Sequence, residues 1–266
     1  ATVHRELRNK CVTLQLLWEE YCERNPGGFY SYNHYCRMYR EWLKTTSPSM
    51  RQVHKAGEKL FVDYCGPTVG VTDPETGEIR TAQVIVAVLG ASSYTWAEAT
   101  WSQQLEDWVM SHVRCFQWLG GVPELVVPDN LKSATSRACK YDPDVNPTYQ
   151  QMLEHYNVAV LPARPRKPKD KAKAEVGVQV VERWIMARIR HEIFYSLASL
   201  NQRIRELLER LNNKIMQKLG YSRAELFIQL DKPALKPLPE ASYSYTLVKK
   251  VRVHADYHVE IDKHYY

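Results

Sequence analysis

The chain has 266 residues, and 36 Lys and Arg against 30 Asp and Glu leave a formal net charge of +6. This is a soluble globular composition, long enough for one large core plus appended modules, and its modest basic excess suits a polyanionic partner. No apolar run is long enough to cross a bilayer and no charged-then-apolar leader opens the sequence, so no membrane role is expected.

The six cysteines, Cys11, Cys22, Cys36, Cys65, Cys115 and Cys139, form no CxxC pair. His34 and Cys36 lack a second ligand pair at zinc spacing, so reduced, packed thiols of a cytosolic protein are expected. The start at Ala1, within a helical pattern, and the end at Tyr266, within a strand pattern, suggest a piece of a longer protein.

Residues 1–46 read as three helices. The first is short, near His4–Asn9. The second, Thr13–Arg24, has Thr13 as N-cap and an inward face of Leu14, Leu17, Trp18 and Tyr21. Asn25-Pro26-Gly27-Gly28 breaks the chain. Ser31 can cap a third helix, Tyr32–Lys44, with Tyr32, Tyr35, Cys36, Tyr39, Trp42 and Leu43 on its apolar side. Asn33, Arg37, Arg40 and Lys44, spaced by three and four, line the other side. Three short helices with a basic last one resemble a helix-turn-helix unit whose last helix enters the major groove. A solvated basic face on a helical bundle is the other reading.

Residues 47–57 form a linker, after which the hydrophobic period changes from helical to alternating. Strands are expected at Lys59–Cys65, Val69–Thr72, Ile79–Leu89 and Tyr94–Ala99, with a turn at Asp73-Pro74-Glu75-Thr76-Gly77. A helix follows over Ser102–Trp118, where Thr100 and Gln103 could form a capping box, and Gly120-Gly121 ends it. A strand at Glu124–Pro128, a helix at Tyr149–Tyr156, a strand at Val158–Leu161 and a long helix at Asp170–Arg190 complete the region. A tight antiparallel meander, then helix, strand, helix, strand, helix, is the order of a ribonuclease-H-like α/β fold, a mixed sheet with helices on both faces. The expected divisions are a helix-turn-helix domain over 1–46, a linker over 47–57, the core over 58–192 and a helical extension over 193–232. A Pro-rich linker and the start of a small β-barrel occupy 233–266. Ser196–Lys214 is amphipathic, and Tyr243–His254 and Tyr257–Ile261 alternate like strands.

Asp63 stands inside the apolar run Leu60-Phe61-Val62-Asp63-Tyr64. A buried carboxylate needs a partner or a metal, although one acid alone can simply face solvent or meet a Lys or Arg. Asp129 ends the run Leu125-Val126-Val127-Pro128. The first and fourth strands of a ribonuclease-H-like sheet lie side by side, which would bring Asp63 and Asp129 together. Glu175 sits on the helix that packs against those strands. Three carboxylates so arranged form an oxygen-only site for Mg²⁺ or Mn²⁺, and two such ions suit phosphodiester cleavage and strand transfer. Among competing acids, Asp170 lies between Lys169 and Lys171 and reads as an N-cap or local ion pair. Glu182 lies two turns beyond Glu175, and Asp142 and Asp144 fall in a Pro-rich loop. The run Arg164, Arg166, Lys167, Lys169, Lys171 and Lys173 leads into Glu175 and could neutralise DNA phosphates, with Lys132 a weaker candidate; a solvated loop is the alternative.

The segments VDYCG, VVPDN and RPRKPKDKAKAE resemble the three acidic motifs of the DDE transposase and integrase superfamily, IstA-type transposases of bacterial insertion sequences in particular. The resemblance extends through VTLQLLWEEY, YCRMYREW and KAGEKLFVDY and so covers nearly the whole chain. It implies Asp63, Asp129 and Glu175 as the catalytic, metal-binding triad. It also implies transposon-end and target DNA as partners, a homodimer or higher assembly on paired ends, a helper AAA+ ATPase of the IstB type and a nucleoid-associated place in the bacterial cytoplasm. The chain departs from the pattern in two respects. Ala172 stands where IstA-like sequences usually carry Gly, and Gln179 and Glu182 stand where integrases often carry basic residues. A non-catalytic helix-turn-helix repressor and a structure-specific nuclease of the same fold are the rival functions.

Overall fold

The structure, a computed structural model, describes residues 2–10, 12–46, 53–128, 135–137, 144–161, 168–246, 258–261 and 264–265. Two compact units divide the chain, Ala1–Gln52 and Val53–Tyr266.

The first unit holds α1 (Thr2–Glu6), α2 (Leu14–Arg24) and α3 (Tyr32–Thr46). Thr13 caps α2 as expected, its hydroxyl accepting from Leu16 N at 3.2 Å. Among the described residues of this unit, only Leu17 and Cys36 are buried. Aromatic contacts supply most of the packing: Trp18 meets Tyr32 edge-on, Tyr21 stacks on Tyr35, and His4 bonds the Tyr39 hydroxyl at 3.0 Å.

The second unit is built on one mixed sheet. Its strands are β1 (Lys59–Tyr64), β2 (Val69–Thr72), β3 (Ile79–Leu89), β4 (Thr95–Thr100), β5 (Leu125–Pro128) and β8 (Ala159–Val160); β6 (Thr135–Arg137) and β7 (Asp144–Val145) pair separately. The long strand β3 pairs antiparallel with β2 through its first half and with β1 and β4 through its second. β1 and β5 run parallel, as do β5 and β8. The side-by-side placement of β1 and β5 agrees with the ribonuclease-H-like order.

Helices cover both faces, which is why β1 and β3 are apolar almost throughout rather than alternating. On one face, Leu60, Val62 and Tyr64 of β1 pack with α4 (Leu105–Leu119) and α5 (Pro147–His155) around Trp108, Phe116 and Tyr149. On the other, Val84, Val86 and Val88 of β3 meet α6 (Pro168–Val181), a π-helical turn over Glu182–Met186, α7 (Ala187–Ile189) and α8 (Leu197–Asn213). The helix expected as one piece over Asp170–Arg190 thus contains a π turn. α4 starts later than expected, with Gln104 at its N-cap position. Asp107 accepts from both the amide and the hydroxyl of Ser102, which fixes that turn, and left-handed Gly120 (φ 66°) ends the helix.

Two asparagines of α8 bond β4 as another strand would. Asn201 accepts from Ala99 N at 2.7 Å and donates to Ala99 O at 2.9 Å; Asn212 does the same to Thr95 at 3.1 and 2.8 Å. They satisfy backbone groups that an edge strand would otherwise offer to another chain.

The Pro-rich segment after α9 (Arg223–Leu226) is docked on the core, not strung out as a linker. Buried Asp231 accepts from Gly57 N at 2.8 Å and Ser92 N at 2.9 Å. Lys236 and Val122 exchange backbone bonds at 2.9 Å, and Leu235 and Leu238 pack against the core. Residues 243–246 form no strand, and 247–257 lie outside the described residues. β9 (Glu260–Ile261) and β10 (His264–Tyr265) form a short antiparallel ladder.

Candidate active site

The alternation of β1 assigns its side chains to two environments. Leu60, Val62 and Tyr64 enter the large core, whereas Phe61 and Cys65 face the helix α6 side. Asp63, midway between Phe61 and Cys65, takes that same face and is half-buried, its Oδ1 accepting from Tyr64 N at 2.8 Å. Phe61, Val127 of β5 and Ala174 of α6 form a small buried cluster. Glu175, exposed, is the next residue of the helix. Asp63 and Glu175 therefore flank one cluster on one side of the sheet. The β1–β5 register ends with Val62 opposite Pro128, the residues just before Asp63 and Asp129. Asp129 itself lies outside the described residues, as do Lys132, Arg164, Arg166, Lys167 and Asp142. Lys169 and Lys171 belong to the start of α6.

Beside Asp63, Cys65 is buried, and burial, then the carboxylates of Glu182 and Asp63, push its thiol up to about 12. It stays a neutral thiol. Glu182, expected only as a distant competitor, accepts from Gly66 N at 3.2 Å, just past the end of β1. Lys173, expected as a phosphate contact, donates to the hydroxyl of Ser93 in the β3–β4 turn at 2.7 Å. His54 stands edge-on to Phe61 at 5.4 Å; burial, then Lys173 and Lys59, hold its imidazole below the usual range. The sequence reading missed His54, Gly177 and the Glu182 contact. Gly177 did carry a signal, since Gly inside a helix marks a close approach. A Cβ there would lie 2.4 Å from Val88 Cγ2.

Among the described residues no three His, Cys, Asp or Glu side chains are grouped to hold a metal ion, and no helix is long and apolar enough to cross a membrane. Cys22, Cys36, Cys65 and Cys115 are free thiols. In the first unit, Asn33, Arg37 and Arg40 are exposed along α3, with Arg37 bonded to His34 at 3.0 Å; Lys44 lies in the same helix.

Residues 53–168 match the integrase core domain family. The fold agrees: a chain of the simian T-cell lymphotropic virus intasome, in a complex with the PP2A regulatory subunit B56 gamma, superposes with a TM-score of 0.51 at 13% identity. The match covers 84% of this chain and 74% of that one. Sheet, flanking helices and family match together define a ribonuclease-H-like integrase core. The chain is 52% identical over 265 residues to a Burkholderia multivorans protein named "Putative transposase for insertion sequence IS408", covering 99% of this chain and 51% of that protein. It is 26% identical over 176 residues to the transposase for insertion sequence element IS21 of Pseudomonas aeruginosa, covering 66% of this chain and 45% of that one. Residues 53–168 thus carry an integrase core domain, and the chain as a whole is similar to transposases of insertion sequences and spans about half the length of the curated relatives it matches.

Proposed function

We propose that this chain is the catalytic part of a DNA transposase that cleaves transposon ends and joins the 3′ hydroxyls to target DNA. The observation that carries the reading is the common face of Asp63 and Glu175, with Pro128, which precedes Asp129, paired beside the residue that precedes Asp63. Asp63, Asp129 and Glu175 would hold Mg²⁺ or Mn²⁺, two ions in the full site. A donor set of carboxylate oxygens suits hard cations and not soft ones. Such ions, when bound, supply Lewis-acid activation of an attacking oxygen and charge stabilisation at a leaving one.

The chain's own residues orient the DNA. The exposed Asn33, Arg37 and Arg40 of α3, with Lys44, would read terminal inverted repeats from a helix-turn-helix domain over 1–46. Lys132, Arg164, Arg166, Lys167, Lys169 and Lys171 would neutralise phosphates beside the acids, an interaction that weakens with salt. Residues 58–192 would form the catalytic core, with a helical extension to 232 and a β-barrel beginning after it. Kinship with IstA-type transposases supports a dimer or higher assembly on paired ends, an IstB-type helper ATPase, and action on DNA in the bacterial cytoplasm.

Asp63→Asn tests the reading. The amide keeps the shape and loses the charge, and loss of several kcal/mol of transition-state stabilisation lowers end cleavage and joining by about 10³-fold or more. Binding of end DNA should persist in a mobility-shift assay. An Asp63→Asn protein that still joins ends in Mg²⁺ rules out the assignment.

A further inference from the structure

Beside Glu175, α6 meets the sheet through small side chains. Ala174 rests on Phe61 and Val127, and Gly177 lies against Val88, so near that a methyl group would collide. Such residues bury little apolar area, at roughly 0.8 kcal/mol per methylene, and resist sliding or rotation weakly. Of the larger anchors, Val181 is buried at the last residue of α6, and Ile185 and Ile189 lie within and beyond the π turn over Glu182–Met186. An added residue in a helix shifts its phase by about 100°, so Ile185 and Ile189 alone do not orient the segment that carries Glu175, and Val181 holds it only from its far end.

Two polar ties bracket that segment. Two residues before Glu175, Lys173 Nζ donates to Ser93 Oγ at 2.7 Å in the β3–β4 turn, where Ser93 holds a left-handed φ of 61°. Seven residues after Glu175, on the same stripe of the helix, Glu182 Oε1 accepts from Gly66 N at 3.2 Å, at the end of the strand that bears Asp63. One tie fixes the helix to the turn after β3, the other to the end of β1.

We propose that Lys173 and Glu182 are positioning residues that seat α6 on the sheet and hold Glu175 toward Asp63, rather than a phosphate contact and a spare acid. The proposal rests on the reading of Glu175 as a metal-holding acid. It predicts that what matters at position 182 is an acceptor, not a charge.

The test compares Glu182→Gln with Glu182→Ala, and Lys173→Met with Ser93→Ala, in end-joining assays with Mg²⁺ and end DNA. Glu182→Ala should lower kcat about 10- to 100-fold, the scale of an ångström-sized misplacement, with KM for end DNA unchanged. Glu182→Gln should recover most of the rate. Hydrogen exchange of the Gly66 amide should be slow in the parent and in Glu182→Gln, and fast in Glu182→Ala. Lys173→Met and Ser93→Ala should lower kcat alike and leave the salt dependence of DNA binding unchanged, whereas loss of a phosphate contact would reduce its slope by about 1. Glu182→Gln as inactive as Asp63→Asn would make Glu182 a charged ligand and overturn the proposal. So would full activity in Glu182→Ala, or a reduced salt slope in Lys173→Met beside an unaffected Ser93→Ala. Should Glu182→Ala fail to fold, the Lys173 and Ser93 variants decide alone. An active Asp63→Asn would instead reject the reading of the site, while Gly66 exchange still reports on the tie.

Discussion

The two faces of the sheet are built differently. The face under α4 and α5 is filled by large side chains, Trp108, Phe116, Tyr149 and Met152, all fully buried. Within it His112 contacts Trp108 O at 2.8 Å and the Tyr149 hydroxyl at 3.2 Å. Since a carbonyl only accepts, the ring donates through Nδ1 and accepts from Tyr149 through Nε2. The face under the start of α6 has a three-residue cluster of modest size, a half-buried Asp63 and an exposed Glu175. Further along, that side is filled again by Ile185, Leu200, Ile204 and Leu207, so only the stretch beside Asp63 is thinly packed.

That contrast can be tested by changing one face at a time. The largest expected loss of stability is on the filled face, where Trp108→Ala should cost about 3–5 kcal/mol in urea unfolding. A loss below about 1 kcal/mol would mean that the face is not the main core. Acid should weaken the same face. Burial lowers the His112 pKa from 6.5 to about 4, so between those values the unfolded chain binds the extra proton. Stability is full above pH 6.5 and falls as pH drops toward 4, by roughly 3 kcal/mol in the limit. His112→Phe should flatten the slope of unfolding free energy between pH 6.5 and 4, and an unchanged slope would assign the acid sensitivity elsewhere.

The smallest expected change in stability lies on the α6 face. Gly177→Ala gains about 1 kcal/mol of helix propensity, but its methyl meets Val88 at 2.4 Å near the end of the covered strand β3. Overpacking of that kind costs about 1–3 kcal/mol, so the collision should win and joining activity should fall with it. Val88→Ala in the same chain should restore both. A Gly177→Ala protein more stable than the parent would show that α6 is not seated this closely.

Much of the core was legible because its signals are local. The apolar runs at β1 and β3, Thr13 before α2, Ser196 before α8 and Gly120 after α4 each act through their own segment, and each appears where periodicity or capping put it. The acid in β1 stood out for the same reason: covered strands admit few charges. What the local pattern could not carry were partners far apart in the chain. Pro233–Pro239 reads as a linker by composition, yet Asp231 ties that region to Gly57 across 174 positions. Lys173 reads as one more base in a basic run, yet its amine bonds Ser93, 80 positions away.

The sequence by itself determined the element order and the faces of the strands, because side-chain period and backbone preference act over a few residues. Only the tertiary structure decided the π turn in the long helix, the asparagine ties along β4 and the seating of α6, because those depend on which distant backbone groups and side chains meet when the layers close.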